Sequence, residues 1–248
     1  MQINGAVALV TGSSRGIGAA LARLLAGAGA TVIPHGSLGA EQVADELGVR
    51  GLAADLTEAG APAELYQQAR ALHGRLDLLV HSAGVGHYGD LASTPAAEID
   101  RLLDINLRAC MHLTRLALPD MLQAGAGHLC FIASIAGLVG VRHEAVYAAT
   151  KAGVVGFADS IRLEVGGRGI GVSTICPGAV DTEFFLRRGA NYDRGHPQPI
   201  TAEAVAAKAM RAIERDQARS VVPRWLAVAP AMKALLPGIY EPLARRFG

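Results

Sequence analysis

Tyr147 and Lys151 stand four residues apart in the segment YAATK, inside a stretch whose pattern predicts a helix. At that spacing both side chains share one helical face, with Cβ atoms about 5–6 Å apart. An ammonium beside a phenol favours the phenolate and draws the phenol pKa below its free value of about 10. A phenol tuned in this way can give or take a proton near neutral pH. Ser134 lies thirteen residues earlier, at the end of the apolar run HLCFIAS, where its hydroxyl could hold a carbonyl oxygen beside that phenol. The plainer reading of the pair is an ordinary half-buried helix face, with both long side chains laying their apolar parts on the core.

The elements that must position these groups begin near the N-terminus. Residues 6–11 (AVALVT) form an apolar run suited to a buried parallel strand. The turn Gly12-Ser13-Ser14-Arg15-Gly16-Ile17-Gly18 follows, and then AALARLLAGAGA with helical periodicity. Glycines let such a turn tighten and let its backbone approach a pyrophosphate, which the N–H groups and dipole of the new helix then face. The spacing is GxxxGxG rather than the commoner GxGxxG, and the plainer reading is a glycine-rich turn without a ligand.

Further strands are expected near 30–34, 50–54, 76–81, 127–134, 169–176 and 219–222. Helices are expected near 16–28, 40–47, 62–73, 96–123, 146–165 and 202–215. The alternation predicts an α/β fold, a single-domain doubly wound parallel sheet of about seven strands with helices on both faces. Residues 1–222 form the expected nucleotide-binding catalytic domain. Residues 223–248 are a separate apolar and basic tail. Residues 180–200 lack periodicity and read as a mobile loop over the substrate, or as a plain surface loop.

Composition narrows the function. The chain has 248 residues, half of them hydrophobic, and a net charge of +1, which gives no reason to expect nucleic acid. Cys110, Cys130 and Cys176 sit singly in apolar stretches, as free thiols do in a reducing compartment. The first strand starts at once, which leaves no room for a signal peptide, and no apolar run approaches the ~20 residues needed to span a bilayer. A cytoplasmic protein is expected. The eight histidines show no ligand spacing, so no metal site is expected.

Thr11-Gly12-xxx-Gly16-x-Gly18, the segment His81-Ser82-Ala83-Gly84, Asn106, Ser134, Tyr147-xxx-Lys151 and Pro177-Gly178 occur in this order. Together they resemble the short-chain dehydrogenase/reductase family over residues 3–222, and its 3-oxoacyl carrier-protein reductases in the N-terminal half. The resemblance implies a Rossmann-type sheet of order 3-2-1-4-5-6-7, a nicotinamide cofactor and an Asn106-Ser134-Tyr147-Lys151 active site. Tyr147 is then the acid of ketone reduction and the base of alcohol oxidation. Lys151 lowers the Tyr147 pKa and bonds the nicotinamide ribose, and Ser134 orients and polarises the carbonyl. Asn106 would distort its helix and hold a water that relays protons to Lys151. The family often has Asn where His81 stands, tying strands together, and His81 could replace that bond.

The cofactor set implied is Gly12, Ser14, Arg15, Gly16, Ile17, Gly18, Gly36, Ser37, Asp55, Leu56, Ala83, Gly84, Tyr147, Lys151, Pro177, Gly178, Val180 and Thr182. Asp55 resembles the residue that bonds the adenine amino group. An NAD site usually ends its second strand with a carboxylate on the ribose; here that position is Gly36. A 2′-phosphate is therefore not repelled, and Arg15 could pair with it. Ser37, or His35 when protonated, could add a hydrogen bond. NADP(H) is favoured over NAD(H).

The substrate side is expected to use Ser134, Leu138, Val141, His143, Tyr147, Phe184 and Phe185, with His87 and Tyr88 as further candidates. The expected reaction is reduction of a ketone or 3-oxoacyl thioester carbonyl. An NAD-linked dehydrogenase of a secondary alcohol or sterol-like compound, and a nucleotide sensor without turnover, are the alternatives. The tail carries four prolines and more basic than acidic residues. It reads as a pocket cap, an oligomer contact or a membrane-surface contact. The resemblance also implies a homodimer or homotetramer through the helices near 96–123 and 146–165.

Overall fold

Short aliphatic runs become strands, and the amphipathic stretches between them become helices. The computed structural model describes residues 1–193 and 197–247; the side chains of Arg246 and Phe247 lie outside the description. Parts of the expected 180–200 loop and of the tail thus fall outside the described residues. In chain order the elements are β1 (Val7–Thr11), α1 (Gly16–Gly27), β2 (Thr31–Gly36), α2 (Glu41–Leu47), β3 (Leu52–Ala53), α3 (Ala61–His73) and β4 (Leu78–His81). Then come α4 (Ala96–Leu103), α5 (Ala109–Ala124), β5 (Gly127–Ile132), α6 (Ala145–Glu164), β6 (Ile170–Pro177), β7 (Val180–Asp181) and α7 (Phe184–Arg187). The chain closes with β8 (Ile200–Thr201), α8 (Ala202–Glu214), β9 (Arg219–Val222), α9 (Val228–Leu235) and α10 (Pro237–Phe247).

Seven strands form one parallel sheet in the order β3-β2-β1-β4-β5-β6-β9. This is the expected order, with β9 as the seventh strand. It is ninth in the chain because β7 and β8 pair with each other in a separate two-stranded sheet. Those two strands and α7 lie in the segment read from sequence as a loop. Elements of two to four residues are too short to show a period.

The sheet is doubly wound because successive side chains of a strand point to opposite faces. Val7 and Leu9 join the core beneath α3, α5 and α6. Ala8 and Val10 join the core beneath α1 and α8. Both faces are covered, so β1 and β4 are buried along their whole length. The strand order reverses between β1 and β4, and a crevice opens there at the carboxyl ends of the strands. Thr11 closes the base of that crevice. Its Oγ1 donates to Val80 O at 3.1 Å and accepts from the N–H groups of Ser82 and Ala83 at 3.1 and 3.2 Å.

Two expectations need revision. The single helix expected over 96–123 is two, joined by a π-helical segment, Asp104–Arg108, with Asn106 at its centre, where the resemblance implied a local distortion. His81 ties the sheet to a helix rather than strand to strand. Its Nε2 meets Thr114 Oγ1 of α5 at 2.9 Å, and its ring stacks on Phe131 at 4.8 Å. Among the described residues, no helix is long and apolar enough to cross a membrane.

Candidate active site

One cleft of about 1310 Å³ runs along the carboxyl edge of the sheet, larger than the ~300–1,000 Å³ that suits a single small ligand. At one end stands the glycine-rich turn. Gly12 has φ +65°, and a Cβ there would lie 2.5 Å from Ala83 Cα. A Cβ on Gly18 would lie 2.3 Å from Gly12 O. The turn can therefore press against the strand-end loop only as glycine, which leaves the first N–H groups of α1 facing the cleft. These are features that fit a dinucleotide pyrophosphate.

His35 lies behind this turn. Its Nδ1 accepts from Gly12 N–H at 3.4 Å, and its Nε2 stands 3.1 Å from Ala54 O. A carbonyl partner puts the proton on Nε2. Burial pushes its pKa down to about 4, so His35 is neutral at pH 7. The protonated His35 expected near a 2′-phosphate is therefore corrected: the ring is a neutral strut between β1, β2 and the end of β3. β2 ends at Gly36, with no carboxylate there, and Ser37 follows on the cleft wall. Asp55 also lines the cleft, with Oδ1 held by Thr57 N–H at 3.0 Å and Thr57 Oγ1 at 2.8 Å. Arg15 is half-exposed and pairs with Glu183 at 2.6 Å. Ser14, Gly16, Ile17, Leu56, Gly84, Pro177, Gly178, Val180 and Thr182 line the same cleft.

At mid-cleft, three of the four expected chemical groups meet. Ser134 ends the β5 run; its Oγ accepts from Ala136 N–H at 3.1 Å and is hydrogen-bonded to the Tyr147 phenol. Tyr147 and Lys151 are both buried on α6. Lys151 Nζ lies 5.8 Å from the Tyr147 ring centroid and donates to Ile132 O at 3.0 Å. The electrostatics differ from the expectation that Lys151 lowers the Tyr147 pKa. Burial raises that pKa; the Ser134 hydrogen bond opposes this and the Glu144 carboxylate adds to it. Burial also pushes Lys151 down to about 8. Desolvation outweighs the neighbouring charge because both groups have lost their water.

Asn106 stands behind this wall. Its Oδ1 accepts from Val85 N–H at 2.8 Å, and its Nδ2 donates to Val85 O and Thr150 Oγ1 at 2.9 and 3.1 Å. The amide thus clamps the loop after β4 rather than standing free for a water. A 10 Å³ cavity reaches between Asn106 and Lys151, at the lower limit for one water molecule. A Cβ on Gly84 would stand 3.3 Å from Lys151 Nζ and 3.4 Å from Asn106 Oδ1, so this glycine lets the backbone pass over both.

The substrate side is partly as expected. Phe184 packs its ring 5.4 Å from that of Tyr147, and Phe185, Val141, His87 and Tyr88 line the cleft. Leu138 and His143 are not among the lining residues. Leu138 packs against the core under α5 and α6. His143 has φ +62°, which turns its ring to Asp90 Oδ1 at 2.8 Å and to Tyr88 at 5.2 Å. Sequence reasoning missed the buried pair Glu144–Arg188 on the cleft wall. The available signal was a Glu three residues before Tyr147, at the N-cap position of α6. Trp225, Leu226, Met232, Tyr240 and Leu243 of the tail also line the cleft; a pocket cap was among the roles read for the tail, without these residues being singled out.

A parallel sheet wound in this order, opening at its switch point onto a glycine turn and a serine-tyrosine-lysine wall, defines the class. A family model described as short chain dehydrogenase matches residues 6–193, and the chain belongs to that family, oxidoreductases acting on CH–OH and C=O groups. Among relatives, ketoacyl reductase HetN of Nostoc sp. is 38% identical over 185 residues. That match covers 72% of this chain but only 64% of HetN, less than two thirds of its length. D-beta-hydroxybutyrate dehydrogenase of Cupriavidus necator is 36% identical over 194 residues, 75% of each chain. A solved short-chain dehydrogenase from Sphingobium yanoikuyae, in complex with NADPH, superposes with a TM-score of 0.82 at 27% identity, covering 94% of this chain and 95% of that one.

Proposed function

We propose that this chain reduces a ketone or 3-oxoacyl-type carbonyl to a secondary alcohol, reversibly, with NADP(H). The observation that carries the reading is the meeting of Ser134, Tyr147 and Lys151 on the wall of a cleft that begins at the glycine-rich turn. A nicotinamide bound there supplies or accepts the hydride. Ser134 Oγ, beside the phenol, is placed to hold the substrate oxygen. Tyr147 Oη, whose pKa burial raises, keeps its proton at neutral pH and can give it to a developing alkoxide. The reverse reaction needs the phenolate, which burial disfavours, so oxidation should quicken as pH rises. Lys151 is still mainly cationic at pH 7 and stands on the same face. Asn106 fixes the loop over which Gly84 passes.

The cofactor preference rests on Gly36, which leaves no carboxylate against a 2′-phosphate, and on Arg15, which can turn from Glu183 to that phosphate. The solved relative holds NADPH. The described part of the tail acts as the roof of the substrate end, through the cleft-lining residues of its turn and helices. Lys233 Nζ ties it to Leu138 O at 3.4 Å, and Arg142 donates to Arg245 O. A homodimer or homotetramer would use the outer faces of α4–α5 and α6, where Leu103, Met111 and Leu163 are exposed.

Fluorescence titration with NADPH and NADH, followed by a panel of ketones and 3-oxoacyl thioesters, tests this reading. Tyr147→Phe should keep NADPH binding and lose roughly 10³-fold or more in kcat. Near-normal turnover in that variant sinks the mechanism.

A further inference from the structure

The described part of the tail sorts its residues by charge. Arg224, Lys233, Glu241 and Arg245 are exposed and stand off the cleft wall. Every residue that the tail gives to the wall is uncharged. Among them are Trp225 and Leu226 from its first turn, Ala229 and Met232 from α9, and Tyr240 and Leu243 from α10. Each helix thus presents residues three apart, which share one side. Val139, Gly140 and Val141 continue this wall without charge, on the loop to which Lys233 and Arg142 tie the tail. That loop runs from Ser134 to Tyr147. At its start the tail also meets the Pro177-Gly178 turn: a Cβ on Gly178 would stand 2.4 Å from Leu226 Cδ1. Trp225 and Leu243 are 58% and 42% exposed although both line the cleft. One exposed leucine means little. A tryptophan and a leucine from separate elements, lining one cavity, leave apolar area for a ligand to take out of water.

We propose that the cleft has a second compartment under the tail, which takes the hydrocarbon body of the substrate, so that the enzyme acts on ketones or secondary alcohols with an uncharged apolar chain on the reacting carbon. This rests on the reductase reading above and names the substrate class within it. The compartment is continuous with the reacting groups along the loop from Ser134 to Tyr147. A chain lying there exchanges water for Trp225, Met232 and Leu243, which is worth about fourfold in affinity per methylene. A chain that bears a charge finds no counter-charge on the wall given by the tail and by residues 139–141.

The test reads binding and turnover separately. Trp225 is the chain's one tryptophan, so its emission reports occupancy of the compartment. With NADP⁺ present, a pairing that cannot turn over, 2-butanone, 2-hexanone and 2-octanone should each shift that emission to the blue. The half-saturating concentration should fall about 15-fold for every two methylenes. With NADPH, kcat/KM should climb with the same slope, mainly through KM. Met232→Asp and Leu243→Asp each put a carboxylate into the compartment. Each should cut the preference for 2-octanone over 2-butanone at least about tenfold. Leu235 is 78% exposed on α9 and off the cleft wall, and Leu235→Asp should keep that preference. A wild-type slope under about threefold per two methylenes overturns the proposal. So does an unchanged preference in folded Leu243→Asp, or an equal loss in folded Leu235→Asp. Emission that moves with protein concentration and not with ketone puts a second copy of the chain on the tail, and also overturns it. No turnover of any ketone or alcohol, with the Trp225 series intact, counts against the reductase reading and leaves the compartment standing. Equal turnover at every chain length does the opposite.

Discussion

Lys151→Met should change how the stability of the cofactor-free protein depends on pH. Burial lowers the folded-state pKa of Lys151 from its ordinary 10.5 to about 8. At about 1.36 kcal/mol per pH unit, holding that ammonium costs the folded state roughly 3 kcal/mol. Below pH 8 both folded and unfolded chains carry the proton, and the whole penalty is present. Between pH 8 and 10.5 the unfolded chain binds more protons at this site than the folded one, so this site's contribution to stability rises with pH. Above 10.5 both states are neutral and the penalty is gone. Methionine removes the titration and also the bond from Nζ to Ile132 O, a loss of about 1 kcal/mol at every pH. The variant should thus be about 2 kcal/mol more stable than wild type at pH 7 and about 1 kcal/mol less stable near pH 11. Urea unfolding of both proteins at several pH values reads this directly. A difference that stays flat, or that moves towards the variant as pH rises, refutes the reasoning whatever its absolute size.

Two further substitutions probe the cofactor end and its support. Arg15→Gln should weaken NADPH binding by roughly tenfold and leave NADH binding within about twofold, because only the 2′-phosphate needs the guanidinium; equal losses for both in a fluorescence titration would remove Arg15 from the phosphate site. Asn106→Ala strips the partners from Val85 N–H and Val85 O and should destabilise the protein by about 2–4 kcal/mol in urea. A loss under about 0.5 kcal/mol would mean that the Asn106 clamp contributes little.

The sheet was legible because its strands are apolar on both faces and its helices amphipathic, signals that survive without tertiary context. The ends of β1, β5 and α6 announced the site because their groups are local: a glycine turn, a strand-end serine, and a phenol and an amine one turn apart. What stayed hidden depended on contacts across the chain. His35 looked like a potential cation until Gly12 and Ala54 were seen on either side of it. The sign of the Tyr147 shift depends on burial, which spacing alone does not carry. Leu138 and His143 lie in the stretch that faces the substrate by resemblance, but a left-handed backbone at His143 sends its ring to the rim. Glu144 and Arg188 are 44 residues apart in sequence, and no local pattern joins them.

The π-helical segment around Asn106 sets the phase of the helix that follows it. Such a segment holds one residue more per turn than the helices on either side of it. Winding all of residues 104–108 as plain α-helix would be the locally easier structure. It would also rotate everything downstream by about 100°, the turn of one residue in an α-helix. Cys110, Leu113, Ala117 and Met121, which now face the core, would leave it, and the amide that holds Val85 would no longer reach. The irregular turn is therefore a phase adjuster: it lets α4 meet the substrate cleft and α5 meet the sheet within one continuous rod, and its length is constrained as tightly as any residue in the cleft.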